Sequence, residues 1–110
     1  MGFLDKLFGR SPRDIRDENR GSRIAQVRSQ GRDLITVGSV FQMTGRGYVI
    51  AGTLQQDASV GQPVEVLDAA GMPIDDRTYT VRGIEKLRET MQHAPAGTEV
   101  GVLVCYPPEF

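Results

Sequence analysis

The sequence predicts an all-β fold: a small closed or nearly closed β-barrel carrying a short helical or irregular N-terminal extension. Three observations carry this expectation. From Leu34 onward apolar and polar residues alternate with a period of two, the spacing of a half-buried strand. Turn signals built on Gly, Pro and Asp recur about every ten residues, as in barrels and sandwiches rather than βαβ units. Thirteen glycines and six prolines against seven aromatics, with no Trp, suit a turn-rich β chain better than a helical bundle. At 110 residues the chain has the length of one domain. Residues 1–33 read as an amphipathic anchor and Arg-rich connector, and residues 34–110 as the barrel.

The first nine residues place Phe3, Leu4, Leu7 and Phe8 on one helical stripe, with Asp5 and Lys6 opposite. Two turns of helix are marginal alone in water, so this stripe needs a surface to bury against: its own barrel, a partner or a membrane interface. Gly2 does not mark myristoylation, because Lys6 stands where that motif requires Ser or Thr. Residues 10–33 form a polar connector punctuated by Pro12 and Gly21. Ser11 as a cap with Pro12 at the first helical position predicts a helix over Arg13 to Arg20. The stretch Ser22 to Ser29 fits either a short helix or a strand.

Ile35, Val37, Phe41 and Met43 share one face of the next predicted strand, which reaches a Gly45-Arg46-Gly47 hairpin tip. A second strand returns over Tyr48 to Gln56, and Asp57-Ala58-Ser59 opens a turn closed by Gly61. Pro63 to Asp68 is a short strand with Val64 and Val66 together. Gly71-Met72-Pro73 is a turn. Thr78 to Ile84 puts Tyr79 and Val81 on one face, and Thr98 to Cys105 aligns Val100, Val102 and Val104.

The net charge of −1 conceals an asymmetry. Residues 1–33 hold eight cations and five acids, whereas residues 34–110 hold five cations and nine acids. An Arg-rich tail on an acidic barrel points either to an anionic partner such as RNA or lipid headgroups, or to a solvated tail of paired charges. A single cysteine excludes an internal disulfide framework, and no apolar run approaches the ~20 residues of a membrane span. With no signal-peptide pattern, the expected location is the cytoplasm, with peripheral membrane contact through the N-terminal block.

Little in the chain suits catalysis. His93 is the only histidine, so no multi-His metal cluster forms, and no Ser or Cys is its neighbour in sequence. Cys105, beside Val104 in a strand, reads as a small buried hydrophobe rather than a nucleophile. There is no Gly-x4-Gly-Lys-Ser/Thr phosphate loop, so GTP hydrolysis is not expected. Neither a cofactor nor a metal is expected. Arg46, at a hairpin tip, is placed to meet phosphate or carboxylate.

Four blocks occur in order: Phe41 to Leu54 (FQMTGRGYVIAGTL), Val60 to Val66 (VGQPVEV), Gly83-Ile84-Glu85, and Ala96 to Leu103 (AGTEVGVL). Together they resemble the second domain, a β-barrel, of translational GTPases of the elongation factor Tu kind, over roughly residues 34–104. The resemblance implies the barrel fold and a docking role without the GTPase domain. It also implies that Glu85 and Arg88 lie where that family receives the acceptor end of tRNA. It further implies a closing strand after residue 104. Pro107 and Pro108 cannot donate to a ladder, so the exposed edge is expected to be filled by Ser22 to Ser29 or by a strand from a second copy or partner.

The functional expectation is a non-catalytic interaction module, an adaptor docking a protein or ribonucleoprotein partner through Arg46, Glu85 and Arg88. The N-terminal block then contacts a second surface. The alternative is an RNA-, tRNA- or ribosome-binding accessory factor. An enzyme using Cys105 is the third class.

Overall fold

Ten strands alternate with tight turns along the computed structural model, which describes residues 23–43 and 45–106. They are β1 (Gln26–Ser29), β2 (Arg32–Ile35), β3 (Ser39–Met43), β4 (Gly47–Thr53), β5 (Ala58–Ser59), β6 (Pro63–Leu67), β7 (Tyr79–Lys86), β8 (Glu89–Met91), β9 (His93–Ala94) and β10 (Glu99–Cys105). The all-β expectation holds for these residues. The stripe of Phe3, Leu4, Leu7 and Phe8 and the expected helix over Arg13 to Arg20 lie outside the described residues.

One antiparallel sheet runs in the order β2-β1-β6-β7-β10-β4-β3, with β8 folded back on β7, and β5 pairs β9 in a small second sheet. The ladder is not closed into a barrel, which corrects the expectation of closure. Its ends do touch. Ile35 bridges Leu54, the Thr36 N–H donates to the Thr53 carbonyl at 2.9 Å, and the Gly38 N–H donates to the Ala51 carbonyl at 2.8 Å. This seam is only as wide as two glycines permit. A Cβ on Gly52 would sit 1.8 Å from the Thr36 carbonyl oxygen, and one on Gly38 2.9 Å from the Ala51 oxygen.

The seam also explains a second correction. The single strand expected from Leu34 to Met43 is two strands, because the chain turns a corner at Thr36 to Gly38. Ile35 therefore joins the main core, whereas Phe41 and Met43 pack in another cluster. Of the segment Ser22 to Ser29, Gln26–Ser29 forms β1, set between β6 and β2. The sheet thus takes in residues before position 34, since Val27 and Leu34 are fully buried and need apolar neighbours.

The main core gathers Val27, Leu34, Ile50, Leu54, Val66, Val81, Ile84, Val102 and Val104 from both arms of the sheet. Its polar end is fixed by Gln56, whose Nε2 lies within 3.3 Å of the carbonyls of Ser29, Arg32 and Asp33 and so ties down the β1–β2 turn. At the opposite end the Tyr79 hydroxyl donates to Asp75 at 2.7 Å. Burial and that carboxylate push the Tyr79 phenol above the ordinary tyrosine range. Among the described residues no helix is long and apolar enough to cross a membrane.

Candidate functional site

A depression of about 570 Å³ lies on the outer face of β4, β10 and β7. Thr36 and Gly38 wall one side, and Leu87 stands on the other. Its floor is a row across the sheet: Glu85 on β7 faces Gly101 on β10, and Gly101 faces Ala51 on β4. Glu99 and Glu85 are the charged lining residues.

A bulge places Glu85 there. Strict alternation from Tyr79 and Val81 would carry Gly83 and Glu85 toward the core. Instead the register shifts opposite Leu103 and Val104, where Leu103 pairs Gly83 and Val104 pairs Val81, leaving Arg82 as the extra residue. Ile84 then returns to the core, and Glu85 falls on the groove side while keeping no exposed surface. A fully buried carboxylate is costly unless its charge is met within the fold.

The rim is equally unusual. Lys86 and Glu89 pair, so Leu87 and Arg88 form a two-residue hairpin tip. Leu87 has φ 56° and is 81% exposed. Such tips favour Gly, Asn or Asp, because a side chain with a full Cβ is strained at positive φ. Exposed leucine in that backbone conformation places apolar surface over the groove. Lys86-Leu87-Arg88-Glu89 holds no turn residue, which is why the sequence gives no sign of the hairpin.

The three expected partner-binding residues are not brought together. Glu85 lines the groove, and Arg88 is exposed on the neighbouring tip. Arg46 sits at the far end of β10, where its carbonyl accepts the Tyr106 N–H at 3.0 Å. The five residues from Gly101 to Tyr106 place it roughly 17 Å away at ~3.3 Å per strand residue. The anchor residues Phe3, Leu4, Leu7 and Phe8 lie outside the described residues. Leu87 and Glu99 are among the lining residues that sequence reasoning missed.

Cys105 is buried with Val49 and Leu103. His93, which has no serine neighbour in sequence, meets Ser59 across the β5–β9 pair, with Oγ to Nδ1 at 2.9 Å. That contact is an exposed cross-strand bond of a kind common in sheets. Among the described residues no cluster of three His, Cys, Asp or Glu is arranged to hold a metal. Compared with known protein families, the chain matches none.

Proposed function

We propose that this chain is a non-enzymatic interaction module that docks a protein partner in the groove between the Leu87-Arg88 tip and the Thr36 to Gly38 corner. The observation that carries this reading is the pairing of an exposed, positive-φ leucine at the rim with carboxylates in the lining. Leucine in that state is unfavourable in the free protein and becomes favourable when an apolar partner side chain covers it. Glu99, an exposed carboxylate of the lining, disfavours a phosphate backbone in the same groove, because like charges repel there. The likeness of residues 34–104 to a translation-factor barrel agrees with a docking role, and an RNA-binding role through Arg46 and Arg88 is its rival.

Capture from the native cell, with and without nuclease, separates the two. The docking reading expects a protein partner that survives nuclease and is lost with Leu87→Asn, a change the positive φ tolerates. Recovery that vanishes with nuclease and ignores Leu87→Asn assigns the chain to RNA.

A further inference from the structure

We propose that the protein docked in this groove is a second copy of the chain, each copy placing its Leu87-Arg88 tip in the other's groove about a two-fold axis. This pairing rests on the docking reading and names its partner. Charge complementarity carries it. The charged residues of the groove lining, Glu85 and Glu99, are both acidic, and Glu99 is the exposed one. The tip offers the opposite chemistry. Lys86 and Glu89 face each other in the β7–β8 ladder and offset one another's charge, which leaves Arg88 as the tip's net charge beside the exposed Leu87.

Register sets the two surfaces side by side. Glu85 faces Gly101 across the antiparallel β7–β10 ladder. Two residues on along β7 and two back along β10 bring Leu87 and Glu99 to the same end of it. Glu99 in turn faces Thr53, whose carbonyl accepts the Thr36 N–H. The exposed carboxylate therefore stands between the leucine rim and the Thr36 corner. Gly101 and Ala51 beside it carry little or no side chain, and the space they leave suits an entering leucine and the stem of an arginine.

Leu87 belongs to both surfaces, as the rim of its own groove and as part of its own tip. When one tip enters the groove of a second copy, that copy's tip meets the first groove, so a single two-fold axis forms both contacts. An isologous pairing of this kind closes at two copies. Each Leu87 gains apolar cover, and each Arg88 meets Glu99 of the partner subunit, where the guanidinium fork matches a carboxylate with two N–H donors.

Sedimentation velocity across a wide concentration range tests the pairing, on the full chain, on Glu99→Lys, on Arg88→Glu and on an equimolar mixture of the two variants. The full chain should pass from monomer to dimer as concentration rises. Each variant alone sets like charges against each other at both contacts, which should weaken dimerisation roughly a hundredfold or more. The mixture restores opposite charges at both contacts and should dimerise about as well as the full chain, a rescue that misfolding of either variant would not give. A full chain that stays monomeric throughout overturns the pairing. If Leu87-dependent capture of a different protein persists in that case, the docking reading stands without it, and if capture fails as well, both fall. Dimers that ignore both charge reversals assign self-association to another face and overturn the pairing, as does a mixture that associates no better than its components.

Discussion

Glu85 faces Gly101 across the β7–β10 ladder because a single extra residue, Arg82, shifts the strand by one position before Glu85 is reached. Without that shift the carboxylate would fall on the same side as Tyr79 and Val81, inside the main core. With it, the carboxylate lies on the outer face, beside Glu99, under the rim formed by Leu87. The groove's chemistry follows from one bulge and one irregular hairpin tip.

The tip predicts a trade between stability and binding. Leu87→Asn relieves a left-handed backbone conformation worth roughly 1 kcal/mol or more. The melting temperature should rise by a few degrees, on the ~4–8 °C per kcal/mol scale of a small domain. Partner affinity should fall at the same time. Differential scanning calorimetry and a binding titration on one sample check both, and a lower melting temperature would remove the strain argument.

The seam predicts a strong response to a small change. Gly52→Ala drives a Cβ into the Thr36 carbonyl, which is backbone and cannot rotate aside. Stability in urea should fall by roughly 2–3 kcal/mol or more. An effect below ~0.5 kcal/mol would mean that the Thr36 to Gly38 corner is not held against β4.

Tyr79 predicts an alkaline limit. Its folded pKa is raised, so the unfolded chain loses the proton first as pH increases. Below about pH 10 both states keep the proton and the full contribution is present. Above that value stability should fall by up to ~1.4 kcal/mol per pH unit from this group. Tyr79→Phe should weaken the protein at pH 8 by about 1 kcal/mol, through loss of the Asp75 bond, and flatten the decline above pH 10. Urea unfolding across pH 8–11 measures both effects.

Gln56 predicts a local effect. Gln56→Ala removes the donor shared by the Ser29, Arg32 and Asp33 carbonyls, and should speed amide exchange in β1 and β2 more than in β10. Uniform acceleration across the sheet would show that the β1–β2 turn is not a separate opening unit.

Much of the strand layout was legible because alternation and turn residues agree with it. The strands expected over Tyr48 to Gln56, Pro63 to Asp68 and Thr98 to Cys105 are found as Gly47–Thr53, Pro63–Leu67 and Glu99–Cys105. Three features were not legible, each for a physical reason. The corner at Thr36 to Gly38 interrupts an unbroken apolar alternation, since the contacts that bend it, Thr36 with Thr53 and Gly38 with Ala51, are distant in sequence. The Arg82 bulge leaves no local signal, as it is set by the pairing of β7 with β10. The Leu87-Arg88 tip violates turn chemistry, so a rule that looks for Gly or Asn passes over it. Of the groove the sequence marks only Glu85 as a site residue, and that through the family resemblance rather than through spacing.

Amide chemical-shift mapping tests the docking account most directly. The isotope-labelled protein is titrated with the partner recovered after nuclease treatment. The account predicts shifts centred on Glu85, Leu87, Glu99 and Gly101, with the Gly45-Arg46 turn unmoved. Shifts confined to that turn, at the other end of β10, with Glu85 and Leu87 unchanged, would contradict it.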